Sequence, residues 1–306
     1  MKIQYLKNHE INFVRWDNCI NNALNGSVFA YSWYLNIICE DWAALVSGDY
    51  KYVMPLLFKS EFKKDIFYSH KLGQRLGVFS NLLLSEDIVA KFINTIPKYN
   101  SLISISLNKS NKLNSPEVKK LKTYELDLIQ SYKKISEKYS NQFQKDLQKA
   151  KENKITITKG ILPNDLINFS INKGVRSNPI LNRKQDIHKL RMIIANSIRF
   201  SLGETYCAYD ENNTMCAASF FIKSKRKLHL LYAAINKIGL KSNAFHLLID
   251  KYIEVHSEKD LTLNIENVVS NNNVEFLLGI GAIECKYNNY YKNKLPWIYK
   301  LLIKKY

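Results

Sequence analysis

The sequence predicts an α/β (α+β) protein built as two tandem copies of one unit, each with a mixed central sheet. Three observations carry this. Residues 154–306 alternate strands and helices in the order β-α-α-β-β-β-α-β-α-β-β. Residues 11–107 run through αα-βββ-αβ, a shorter version of the same order. The chain has 306 residues and 46% apolar content, which is globular and long enough for two domains at roughly 100–200 residues each.

In the second half, ITITKG (154–159) reads as a strand and is followed by helices over 163–173 and Arg183 to Leu202. Three β-rich runs come next, ETYCAYD (204–210), TMCAASFFIK (214–223) and KLHLLYAAI (227–235), with Asn212-Asn213 as a hairpin signal between the first two. The stripe Ala244, Leu247, Leu248, Tyr252 and Val255 predicts a helix over 243–257, with Ser242 as its N-cap. LTLNIE (261–266) is a strand, 271–279 a short helix, and strands near 282–288 and 297–304 close the unit.

The first half opens with a helix at 11–24 carrying Phe13, Trp16, Ile20 and Leu24, then a helix at 31–39. Strands 42–48 and 51–58 flank a Gly48-Asp49 turn, and DIFYSH (65–70) is a third strand. Ser85 caps a helix over 86–96, and SLISISL (101–107) is a strand. Between the copies lies a lysine-rich helix, 131–153. Its stripe Tyr132, Ile135, Tyr139, Phe143, Leu147 and Ala150 buries one face. The lysines opposite are read as a solvated linker face, the alternative being a basic wall beside a cleft. The domain boundaries are thus expected at 1–130 and 131–306.

The formal net charge is +18, yet only seven of the 45 basic residues are Arg, the residue suited to bidentate phosphate contacts. The charge is therefore read mainly as solvated lysine that attracts phosphate-bearing substrates. RNA is favoured over DNA as any nucleic-acid partner. The five cysteines (Cys19, Cys39, Cys207, Cys216, Cys285) form no C-x-x-C pair, which points to reduced thiols in a cytoplasm. No apolar run approaches the ~18–20 residues of a membrane span, and the N-terminus has no secretory h-region. The histidines show no metal-ligand spacing, so no metal is expected. His246 is read as structural or exposed.

The element order is that of the GNAT N-acyltransferase fold, and four segments resemble the Fem-like peptidyltransferases, bacterial tandem-GNAT enzymes that add amino acids to peptidoglycan precursors. They are SVFAYSWYLNIICEDW (27–42), SNQFQKDLQKAKENKITITKG (140–160), LYAAINKIGLKSNAFHLLIDKYI (231–253) and NNNVEFLLGIGAIECKYNNYY (271–291). The resemblance implies two tandem GNAT-like acyltransferase domains and transfer of an acyl or aminoacyl group to an amine. The acceptor would be a cell-envelope precursor, a sugar nucleotide or a small metabolite. The donor would be acyl-coenzyme A or aminoacyl-tRNA, with no tightly bound cofactor.

The resemblance also implies site residues. Backbone amides near Ala233, Ala234 and Ile235 would polarise the acyl carbonyl. The helix start at Lys241, Ser242 and Asn243 would meet a donor phosphate. Arg176 and Phe276 fall where the family binds substrate. Apart from the resemblance, Glu266 at the end of its strand is the best-placed carboxylate for a general base, the alternative being a plain strand-end acid. Two family positions differ: the Lys expected four residues after Trp33 is Ile37, and the Lys after Phe276 is Leu277. The Gly-rich pyrophosphate pattern is also absent, since IGLKSNA (238–244) has only Gly239, and Gln74-Arg75-Leu76-Gly77 matches half of it. A different reading follows from these departures: a binding or scaffold protein that kept the fold and lost catalysis.

Overall fold

A computed structural model of the chain describes residues 1–61, 64–97, 102–172, 174–177, 184–265 and 273–296. The chain divides into two compact units: Met1–Lys122 with the segment from Lys286 onward, and Thr123–Cys285. The first unit therefore takes back the C-terminal segment that the expected division at 130/131 gave to the second.

Elements of the first part of the chain follow in order. They are β1 (Ile3–Leu6), α1 (Phe13–Asn22), α2 (Ser32–Ile38), β2 (Ala43–Ser47), β3 (Tyr52–Leu56), β4 (Phe58–Glu61), β5 (Lys64–Tyr68), β6 (Phe79–Ser80), α3 (Glu86–Thr95), β7 (Leu102–Ser106) and β8 (Val118–Asp127). Side-chain caps fix two helix starts: Asn12 accepts from Arg15 N at 3.1 Å and Ser85 from Ile88 N at 3.3 Å. β1 and β8 were not anticipated. β8, VKKLKTYELD, is polar along most of its length and carries little hydrophobic alternation.

The rest comprises α4 (Tyr132–Ser136), α5 (Asn141–Glu152), β9 (Thr156–Lys159), α6 (Pro163–Ile171), β10 (Arg176–Ser177), α7 (Lys184–Arg199), β11 (Gly203–Tyr209), β12 (Met215–Ser224), β13 (Lys227–Ile235), α8 (Lys237–Lys241), α9 (Ala244–His256), β14 (Thr262–Ile265), α10 (Asn273–Gly279) and β15 (Ile283–Asn293). The single helix expected at 131–153 is two. Ser140 caps α5 through Phe143 N at 3.2 Å, and its own amide bonds the Gly279 carbonyl at 2.9 Å, which takes it out of the helical ladder. The strand expected at 297–304 lies outside the described residues.

In the first unit, β1, β2, β3 and β6 form an antiparallel sheet, and β4, β5, β7, β15 and the first half of β8 follow one another in a second. β5 and β7 are parallel, from Ile66↔Leu102 to Tyr68↔Ser104, with α3 as the crossover. The core beneath α3 holds Phe67, Phe92, Ile93, Ile103, Ile105 and Tyr290. Each such side chain contributes about 1.5–3 kcal/mol by leaving water. Past Tyr68 the parallel strands stay fastened. Ser106 N donates to Ser69 Oγ at 2.7 Å, and Leu76 N to Ser106 O at 3.1 Å. Leu76 bridges Leu107 in parallel, and Asn108 Nδ2 donates to Leu76 O at 2.8 Å.

In the second unit the order is the second half of β8, then β14, β13, β12, β11 and β9, with β10 also against β13. α6 packs on β12 and β13, whereas α9 packs on β9, β11 and β12. The core beneath α9 gathers Phe143, Leu147, Tyr206, Phe221, Ala233, Ile235, Phe245, Leu248 and Phe276. Among the described residues, no helix is long and apolar enough to cross a membrane.

Candidate active site

β13 and β14 form the parallel pair of the second unit, in register from Lys227↔Thr262 to Leu230↔Ile265. One residue later β13 bulges at Leu231, where the β12 register shifts between Phe220↔Tyr232 and Phe221↔Leu230. A bulge there adds twist and re-aims the strand. By Ala234 and Ile235 the neighbour on that edge is no longer β14 but β10, antiparallel, with Arg176↔Ile235 and Ser177↔Ala234. The parallel pair therefore gives way to a different strand at the carboxyl end of β13.

This arrangement joins some of the expected residues. β10, a two-residue strand with no sequence signal, brings the exposed Arg176 to the end of β13. Ala233, Ala234 and Ile235 are all buried. Ala234 and Ile235 have strands on both edges, Ala218 and Ala217 of β12 on one and Ser177 and Arg176 of β10 on the other. Their amides thus belong to ladders, a correction to the expected acyl-carbonyl donors. Ala233, paired with Ser219, remains the candidate of the three. Glu266 lies outside the described residues.

The turn from β13 to α9 also differs from expectation. Ser242 is not the N-cap of α9; it ends α8, and its hydroxyl donates to the Ile238 carbonyl at 2.9 Å. Asn243 takes the cap position in a left-handed conformation, φ 56°, and makes no capping bond. Its Nδ2 instead donates to Asp146 Oδ1 on α5 at 2.9 Å. Lys241 is exposed at the end of α8. Gly239 is required by packing: a Cβ there would lie 2.3 Å from the Cys216 carbonyl oxygen.

Phe276 is a core residue and not an open substrate contact. Its ring meets Phe143 at 5.4 Å, Phe245 at 5.5 Å and His246 at 4.9 Å. Leu277 beside it is buried in the same core, and Ile37 in the first unit is half-buried. His246 Nε2 lies 3.6 Å from Asp146 Oδ2. Burial lowers the His246 pKa, while the Asp146 charge and the Asn243 backbone act in the opposite direction. Sequence reasoning missed Asp146, since nothing in a lysine-rich helix marks one carboxylate for a contact 97 residues away.

Two more carboxylates hold α9. Asp250 accepts from the phenols of Tyr132 at 2.9 Å and Tyr139 at 3.0 Å. Burial raises its pKa, and the two phenol bonds offset part of that rise. At the far end of the helix, His256 Nδ1 sits 2.9 Å from the Tyr252 carbonyl and Nε2 3.1 Å from Glu204. Burial would raise Glu204, but bonds from His256 and Lys159 outweigh it and hold the carboxyl at about 2. Among the described residues, no group of three or more His, Cys, Asp or Glu side chains could hold a metal.

No protein-family model matches the sequence, and no curated protein matches it. Solved structures do match in fold. FemX superposes with a TM-score of 0.65 at 12% identity, over 99% of this chain and 100% of FemX. A C-terminal domain assigned to lysylphosphatidylglycerol synthetase from Agrobacterium fabrum gives 0.51 at 7% identity, over 92% and 93%. A conserved protein of unknown function from Bacteroides thetaiotaomicron gives 0.51 at 10%, over 92% and 98%. With a parallel pair and a helical crossover present in each unit, the chain has the fold of FemX.

Proposed function

We propose that the chain transfers an acyl or aminoacyl group to an amine acceptor. The observation that carries this reading is the carboxyl end of β13. There a bulge follows the parallel pair directly, and β10 delivers Arg176 beside it. Such a place can hold an acyl group in extended form against strand backbone. Orientation of that kind is worth up to about 7–11 kcal/mol in well-aligned systems. Ala233 is the backbone donor for the carbonyl oxygen, and Arg176 the cation for an anionic acceptor, a cell-envelope precursor or a sugar nucleotide. The fold shared with FemX and with a domain assigned to lysylphosphatidylglycerol synthetase supports an envelope acceptor over a small metabolite.

Charged tRNA and a panel of acyl-coenzyme A species, each incubated with amine acceptors and read by mass spectrometry, test the reading. A new amide product is expected with one donor class. With Leu277 buried where relatives hold a cation, the amine is deprotonated by solvent or by Glu266, so turnover should climb with pH toward the amine's pKa. A sharp step near pH 6–7 would instead assign the proton to a histidine. The burial of Leu277 also favours a second reading, an inactive binding protein. Acceptor binding with no product from any donor would select it.

A further inference from the structure

We propose that the end of α7 and the turn between β12 and β13 dock the chain on an anionic phospholipid surface. This surface lies outside the candidate active site and does not depend on the acyl-transfer reading.

α7 runs for sixteen residues and turns Leu190, Ile193, Ile194 and Ser197 inward. Its other side carries apolar residues where a fully solvated helix face would be polar. Met192 is 40% exposed, Ile198 39% and, just past the helix, Phe200 48%. The chain then turns at Ser201, φ 56°, and Leu202 N donates to the Ser197 carbonyl at 2.8 Å. Lys223 N donates to the Leu202 carbonyl at 2.7 Å, which sets the β12–β13 turn beside the helix end. Arg199, Lys223, Lys225 and Arg226 are exposed there. The acid beside that turn, Asp260, is paired with Arg226 at 3.0 Å.

Apolar side chains set among cations decide the partner. Head-group phosphates take Arg and Lys while acyl chains take Met, Ile and Phe, and binding grows with both contributions. A polynucleotide would use the cations and one ring but gain nothing from Met192 and Ile198. A second copy across a twofold axis would set Arg199 and the turn lysines against themselves. The formal net charge of +18 draws the chain to an anionic bilayer, and the apolar residues choose which end enters it. The turn lies at the start of β13, and Ala233 lies near the other end of that strand. Docking at the turn therefore leaves the candidate active site facing solution.

Flotation of the full chain with vesicles tests the proposal, using phosphatidylcholine alone and phosphatidylcholine mixed with phosphatidylglycerol. The mixed vesicles should carry at least about tenfold more protein than the neutral ones. Ile198→Ser combined with Phe200→Ser keeps the charge and should lower that binding about tenfold. Arg199→Glu should lower it several-fold. Lys149→Glu, the same charge change at an exposed position of α5, should leave it within about twofold at physiological salt. If melting shows the double serine variant to be unfolded, Met192→Ser takes its place, with a loss of about threefold expected. Undiminished binding by the folded serine variant, or an equal loss with Lys149→Glu, reduces the attraction to net charge and overturns the proposal. Failure to bind the mixed vesicles also overturns it. So does poly-uridylate binding, or a dimer in sedimentation, that the serine substitutions abolish, since the surface then belongs to RNA or to a second copy.

Discussion

The two units contain the same device, a parallel strand pair joined by a helical crossover, and treat its far end in opposite ways. In the first, β5 and β7 stay fastened beyond Tyr68 through Ser69, Leu76 and Asn108. In the second, β13 bulges at Leu231 and turns to β10. The first unit has spent its opening on stability; the second keeps a strand end at which an exposed arginine arrives. The half-match to a phosphate loop at Gln74–Gly77 belongs to the closure. Gly77 has φ 103°, and a Cβ on it would meet Asn111 Oδ1 at 2.5 Å. That same Asn111 side chain accepts from Val78 N at 2.6 Å and donates to Val78 O at 2.9 Å.

Three experiments press on this contrast. The largest effect belongs to the two glycines. Gly239→Ala places a methyl against backbone, and Gly77→Ala combines a left-handed φ with a clash at Asn111. Each should cost about 2–4 kcal/mol in denaturant unfolding. A loss under about 1 kcal/mol at Gly77 would mean that the closure is not tight.

Next comes a pair of arginines. Arg176→Ala should lower kcat/KM by about ten- to a hundredfold with little change in melting, the scale of a charge-assisted contact. Arg75→Ala removes a guanidinium 4.8 Å from the Tyr287 ring. It should leave turnover alone and cost stability by about 0.5–1 kcal/mol. Equal losses of activity would erase the functional difference between the units.

The smallest effect is a pH dependence at α9. Glu204 titrates at about 2 in the folded chain against an ordinary 4.5. Its stabilisation is therefore complete above about pH 4.5 and fades as pH falls toward 2. The side chain is partly solvated, so about 1 kcal/mol is at stake. Glu204→Gln should destabilise the chain near pH 6 and converge with wild type near pH 2, followed by melting temperature. A gap that persists at pH 2 would assign the effect to packing.

Strong local signals reached the structure intact. The capped start of α3, the β11–β12 hairpin and the helix over 244–256 follow from cap and turn residues and from spacing. What stayed hidden depends on partners distant in the chain. β10 is two residues long and exists only because β13 is beside it. The break between α4 and α5 needs the Gly279 carbonyl, and the misplaced cap at Ser242 needs Asp146 to hold Asn243. The site suffered most for this reason: its residues sit at junctions between elements, where local propensity is weakest.

The strand β15 sets an order of events for a chain leaving the ribosome. Asn289–Asn293 pair with Leu102–Ser106, so the first unit's sheet waits for residues made after the whole of Thr123–Cys285. The second unit, continuous in sequence, can close while the first still exposes the edge of β7. Synthesis and folding then run in opposite directions along the chain, and β7 is the edge a nascent-chain chaperone would have to shield from strand-to-strand aggregation.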